Sequence, residues 1–297
     1  MKNLFKHLAF MLTLETEVRE WWAIRTTPEG RLRRRQAYAR FSAISQGLGG
    51  GVNPYLFTQQ DSSAKTAHNL EFTSLVEQIV QYWLPHRLSG IINVCPWSTK
   101  GCRATCLHTS GRLGMAETAK MARVKFFADA PLDYMIVLLW EIERNARRVD
   151  GCGKQLAVRF NGTGDVPIEK LPFLFELVAT LGLDVQWFDY TKGILTTAKS
   201  ARVPSPRSDY YTVASATETT DEDVAADYPH NIVFVADIKA HAPLPSEFWG
   251  RQVVDGDLHD LRLLDRQDAV AVIVRAKGDA RGVEGDAAGF VKAVSDA

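Results

Sequence analysis

Cysteine is scarce in this chain, with four residues in 297. So few cannot build the disulfide framework of a small secreted domain. A chain of this length buries a core without such staples. Long apolar runs are also missing. No stretch approaches the ~20 apolar residues of a membrane helix, which excludes a helical span. Net charge is absent: Lys plus Arg and Asp plus Glu number 35 each. A protein that lives on phosphate contacts is usually basic, so the total gives nucleic-acid binding no support. Glycine signatures of nucleotide binding are absent as well. No lysine–serine or lysine–threonine pair follows Gly47, Gly49, Gly50 and Gly51, which read as a flexible joint. No dinucleotide fingerprint follows any of the strands described below. Met1 to Leu14 has two lysines and a short apolar stretch but no small-residue cleavage site, and Glu15 and Glu17 follow. It reads as an amphipathic helix rather than a signal peptide. The expectation is a cytoplasmic protein without membrane association, where thiols stay reduced.

What is present is ordinary globular composition, 46% hydrophobic and 24% charged, enough for one large α/β domain or two smaller ones. Apolar spacing predicts helices over 3–25, 30–46 and 68–85, the last with Leu70, Leu75, Ile79, Val80 and Trp83 as its stripe. A short strand is expected at Ile91 to Val94, and helices over 115–128 and 131–148. Strand and helix then alternate. Strands are expected at 155–160, 184–190, 209–215, 231–236, 253–254 and 269–274, with helices at 167–181, 191–199 and 220–226. This rhythm predicts a parallel sheet with crossover helices, a βα-barrel-like domain over 89–297, complete or partial. An open doubly wound sheet is the alternative. Residues 1–88 are expected to be a mainly helical extension. Within it, Arg31, Arg33, Arg34 and Arg35, with Arg40 beyond, are strongly basic. That run is either a solvated helix face or an arm that grips phosphate.

Three of the four cysteines crowd into one short run: Cys95, Cys102 and Cys106, with His108 close by. Reduced thiols this close can converge on a metal. Three thiolates can hold a four-iron iron–sulfur cluster and leave one iron open. Alternatively, with His108 they complete a Cys₃His zinc site. Unligated thiols in a loop are the third reading. Lys100, Arg103 and Arg112 would favour the thiolates. Cys152 reads as an unligated cysteine.

The carboxyl ends of the predicted strands, where parallel α/β proteins place their working residues, are polar. One strand carries Arg159 and runs into Asn161, Thr163 and Asp165. Others run into Asp189 and Lys192, into Ser215, into Asp237 and into Asp257. Asp, Ser and Thr at such places often only cap the next helix. A charge such as Arg159 inside an apolar strand is costly unless paired. Together these residues suggest a pocket for a small anionic or multiply hydrogen-bonding molecule. Gly162 and Gly164 would let backbone approach it closely.

Taken together, several motifs resemble the phage gene product 88 family. They are Cys95-Pro96-Trp97 with Gly101-Cys102 and Cys106-Leu107, then Gly111-Arg112. Next come Arg159-Phe160-Asn161-Gly162-Thr163 with Asp165, and Phe188-Asp189-Tyr190-Thr191-Lys192. Last are Asp257, Asp260-Leu261-Arg262, Asp265, Lys277-Gly278 and Ala280-Arg281. The resemblance covers residues ~90 to 291 and implies a phage protein working in host cytoplasm. The cysteine segment and βα pattern are in turn similar to radical S-adenosylmethionine barrels. Three functions follow as expectations. In the first, Cys95, Cys102 and Cys106 hold a cluster that binds S-adenosylmethionine or substrate. Asp165, Asp189 and Lys192 act catalytically, and Arg159, Asn161, Thr163, Ser215, Asp237, Asp257 and Arg262 bind ligand. In the second, a zinc-containing barrel acts on nucleic-acid bases, with Arg31 to Arg35 on phosphate. In the third, the metal is a structural staple in a non-enzymatic phage protein that binds a host factor.

Overall fold

The computed structural model describes residues 1–60, 74–110, 112–196, 202, 207–239, 242–265, 269–281 and 289–293. In chain order they form α1 (Leu4–Leu12), α2 (Glu15–Ile24), α3 (Pro28–Gly47), β1 (Phe57–Gln59), β2 (Val76–Gln81), α4 (Lys100–Ala104) and α5 (Arg112–Met115). There follow α6 (Glu117–Asp129), α7 (Pro131–Asp150), β3 (Gln155–Arg159), α8 (Pro172–Ala179), β4 (Val185–Thr191), β5 (Tyr210–Ser215) and α9 (Glu222–Asp227). The last elements are β6 (Ile232–Ala236), β7 (Glu247–Phe248), β8 (Arg251–Asp255), β9 (Ala271–Arg275) and β10 (Val291–Lys292). No helix among the described residues is long and apolar enough to cross a membrane.

The chain divides into two compact units. The first comprises Met1–Gln60, Ser74–Pro96 and Ala116–Trp187. Its helix starts are written locally. Thr27 caps α3 through its side chain, and Pro28 opens the helix, where a missing N–H costs nothing. Pro131 opens α7 in the same way. β1 runs antiparallel to β2, with Phe57 opposite Gln81. β2 is parallel to β3, with Val76 opposite Gln155 and Val80 opposite Arg159. The core beside these strands is aromatic. Trp83 packs on Phe127, Tyr134 and Phe160, and Phe41 stacks on Phe126 with ring centroids 4.6 Å apart.

The second unit comprises the described residues of Trp97–Met115 and Phe188–Ala297. There β5 pairs with β6, β6 with β9 and β9 with β8, all parallel. β10 lies parallel on β6, with Val291 opposite Val235. β7 and β8 form an antiparallel hairpin whose turn holds Trp249 and Gly250 at φ 51 and 68. The core of this unit includes Ile232, Phe234, Ala271 and Ile273, with Val213, Val233 and Val272 on a second cluster.

The architecture is α/β with mostly parallel strands, but the strand order runs out at β1 on one side and at β7 on the other. The sheet is therefore open, so of the complete or partial barrel expected the complete, closed form is not found. The reason is local. β1 and β7 run antiparallel to their neighbours, and β6 is followed by a hairpin rather than a crossover helix.

Four element readings also change. The helix expected over 3–25 breaks at Thr13 and Leu14 into α1 and α2. Of the helix expected over 68–85, residues 61–73 lie outside the described residues, and Val76–Gln81 is a strand with nearly every position buried. Its apolar stripe fits a strand covered on both faces as well as it fits a helix. Ile91 to Val94 joins no strand ladder; Ile92 makes a single parallel bridge to Lys2. Residues 192–196 of the helix expected at 191–199 are not helical, and 197–199 lie outside the described residues.

Candidate functional site

In the first unit, the chain leaving β3 folds into a tight loop whose polar groups bind the loop itself and the segments packed against it. Asn161 is buried. Its side-chain amide donates to the Val166 carbonyl at 2.9 Å and accepts the Val166 N–H at 2.8 Å. The Thr163 hydroxyl donates to the Trp83 carbonyl at 2.6 Å. The backbone N–H of buried Asp165 donates to the Val94 carbonyl at 2.8 Å. Gly162 and Gly164 make room for rings rather than for a ligand. A Cβ on Gly162 would lie 2.5 Å from the Tyr82 ring, and one on Gly164 would lie 2.5 Å from the Trp83 ring. Cys95 belongs to this same knot. Its sulfur accepts the His86 N–H at 3.1 Å and lies 3.8 Å from the Thr163 carbonyl oxygen. His86 reaches it from the left-handed backbone region, at φ 41, which is uncommon for a residue other than glycine. Arg159 sits half-buried at the end of β3.

In the second unit, the cysteine-bearing segment is tied to the carboxyl end of β5. Thr99 caps α4, its hydroxyl oxygen accepting the Cys102 N–H at 3.1 Å. The same hydroxyl donates to Glu218 at 2.6 Å, and the Gly101 N–H donates to the other carboxylate oxygen at 3.0 Å. Burial, the largest single influence on Glu218, pushes its pKa up. The bonds from Thr99 and Gly101 and the charge of Lys292 outweigh burial and hold the carboxyl below the usual glutamate range. Lys292, on β10, is buried and donates to the carbonyls of Thr217 and Thr220, both at 2.9 Å. Burial lowers its pKa. Cys102 and Cys106 are partly buried and unbridged, as is Cys95, while Cys152 is exposed. His108 is half-buried on the 3-10 turn Leu107–Thr109.

One strand over, Asp189 is fully buried on β4 and accepts the Tyr210 hydroxyl at 2.9 Å. Arg202 donates to that same hydroxyl at 2.5 Å, so carboxylate, phenol and guanidinium form a chain across β4 and β5. The Lys192 ammonium lies 5.9 Å from the Phe290 ring centre. A Cβ on Gly193 would sit 2.7 Å from both Trp97 and Arg202, which places the start of the cysteine run against the loop that follows β4.

The family model for gene product 88 matches residues 55–293. The chain belongs to the gene product 88 family. The match reaches further toward the N-terminus than the motifs did and takes in β1 and β2. Comparison with curated proteins gave no match, and neither did comparison with solved structures.

The other predicted residues of this gene product 88 protein lie apart from the cysteine run or are bound into the framework. Asp237 follows β6 with its side chain exposed. Ser215 is buried at the end of β5. Asp257 pairs with Lys277 at 2.6 Å and Arg275 at 3.4 Å. Fully buried Arg262 bonds to the His259 carbonyl and ring and lies 3.4 Å from Asp265. Both read as framework ion pairs. Glu218, Lys292, Tyr210, Arg202 and Thr99 were not singled out from the sequence. Glu218 lies three residues past β5 and takes its role from Thr99, 119 residues away; Lys292 likewise acts on carbonyls more than 70 residues away. Three free thiols are a donor set suited to zinc or an iron–sulfur cluster. Even so, among the described residues no three His, Cys, Asp or Glu side chains stand together to hold one metal ion.

Proposed function

We propose that this gene product 88 protein is a phage-encoded thiolate metalloprotein. Its Cys95, Cys102 and Cys106 take up an iron–sulfur cluster, and the strand ends of the second unit receive a small molecule. The single observation that supports this best is the Glu218 clamp, which fastens the helix bearing Cys102 to the carboxyl end of β5. That edge is where open parallel sheets bind their ligands. Cys95 adds support, because its sulfur already accepts a backbone N–H, the kind of bond that tunes cluster sulfurs. Asp189 and Lys192 are the residues of the second unit assigned to the ligand.

Anaerobic purification with iron, sulfide and zinc analysis tests the reading. The expected result is a coloured protein with matched iron and sulfide, both lost in Cys102→Ser and Cys106→Ser. Stoichiometric zinc without iron would replace the cluster with a Cys₃His site that includes His108. A second reading, a non-enzymatic phage protein with a structural metal site that binds a host factor, is favoured by Asp257 and Arg262, residues expected to bind ligand whose side chains are engaged in the framework. An unchanged biological effect of Lys192→Ala, with the fold and the metal intact, would favour it over the first.

A further inference from the structure

The basic run on α3 is not uniform. The Arg31 guanidinium is spent on the Thr26 carbonyl. Arg33 and Arg40 both pair with Asp133, at 3.0 and 2.8 Å. Arg34 and Arg35 differ: among the described residues neither forms an ion pair. Both line a cavity of about 360 Å³ in the first unit, together with Tyr38, Ser42, Asn53 and Trp140. No acidic side chain lines it. Arg34 lies over the Trp140 ring at 4.8 Å, and Tyr38 meets the same indole edge-on at 5.6 Å. The aromatic wall thus fixes one guanidinium, while the other stands exposed at the rim. The hydroxyls of Tyr38 and Ser42 are turned to the carbonyls of Pro54 and Val52, so the walls are already satisfied internally. What is left over is positive charge. Burial, then the neighbouring Arg35 and Arg31, lower the Arg34 pKa, and the charge of Glu143 offsets only part of this.

We propose that this cavity binds a phosphate monoester of about nucleotide size, with the phosphate between the Arg34 and Arg35 guanidiniums. Two planar forks suit a dianionic, multi-oxygen group better than a single carboxylate. The volume lies at the small end of the range for ligand pockets, enough for one such molecule and its sugar or ring. The site does not depend on the thiols or on the metal reading, since every residue in it lies in α3, α7 or the turn before β1.

The test is calorimetric titration of the full chain at low ionic strength with adenosine monophosphate and with pyrophosphate. Binding is expected for both, weakening by about tenfold or more in Arg34→Gln and lost in Arg35→Glu. Arg35 is exposed, so its replacement leaves the fold intact, which an unchanged melting temperature verifies. Arg33→Gln, which lies off the cavity, is expected to bind as the parent does. Lack of binding by either phosphate compound would overturn the proposal, as would equal binding by Arg35→Glu. Binding only of a single-stranded oligonucleotide, with the monophosphate silent, would overturn it too and assign the arginines to a strand instead.

Discussion

Glu141, on α7, is a carboxylate buried at 2% exposure that accepts the backbone N–H groups of Leu56 and Phe57, all at 3.0–3.1 Å. Burial raises its pKa to about 7, against the pull of those two bonds and of Arg123 and Arg144. Arg123 is itself lowered by burial to about 10, so it stays cationic at neutral pH. A carboxyl whose folded pKa lies above its unfolded value favours folding most when protonated. Its contribution is complete below the ordinary glutamate value and is lost as pH rises through about 7. The parent protein is therefore expected to lose about 3 kcal/mol relative to Glu141→Gln between pH 4.5 and pH 8. Denaturant melts at several pH values measure this; parallel curves for the two proteins would count against it. Glu141→Ala strands both N–H groups and should cost about 2–4 kcal/mol at low pH, and less above pH 7, where the parent has lost its own contribution from this carboxyl. The sequence shows an ordinary glutamate on a helix. Only the arrival of β1 against α7 turns it into a titrating core residue.

At the scale of elements, α4 is five residues long, too short to persist alone. It is held by the Thr99 cap and by Glu218. Gly101 is the contact point: a Cβ there would lie 2.6 Å from the Phe290 Cβ and 2.9 Å from a Glu218 oxygen. In an exposed helix, glycine to alanine gains up to ~1 kcal/mol. Here Gly101→Ala is expected to cost about 1–3 kcal/mol instead, read as a lowered melting temperature. A stabilised variant would mean that α4 does not pack on β5 and β10 in solution. Elements differed in how legible they were. α3 and α7 carry proline starts and α7 a helical apolar period, α6 is rich in helix formers, and β3 and β6 carry contiguous apolar runs of three and five residues, so local pattern suffices there. β1, β7 and β10 are two or three residues long and leave no pattern to read. β2 is buried on both faces, so its apolar residues repeat without the alternation that marks a strand.

For the whole molecule, the balance of 35 cations against 35 anions places the isoelectric point near 7.1. A chain without net charge loses the self-repulsion that keeps proteins apart. Solubility at low salt is expected to pass through a minimum near pH 7 and to recover on either side. Turbidity across a pH series checks this, and a flat profile would show that local charge patches govern association instead.

Spacing and composition alone determined the cysteine run, the α/β class and the parallel strands of the C-terminal half, because each is written in contiguous residues or in a short-range period, while the family was legible only through the resemblance of its motifs. The tertiary structure decided which polar residues serve the framework and which are left to act. It spent Asn161 on its own loop and Thr163 on the Trp83 carbonyl, and it engaged Asp257 with Lys277 and Arg262 with His259. It fastened the cysteine helix with Glu218 and, among the described residues, left Arg34 and Arg35 outside any ion pair. It also kept the sheet open. Those outcomes depend on partners brought together across tens to hundreds of residues, and a carboxylate's role is set by the donors that surround it, which no local pattern encodes.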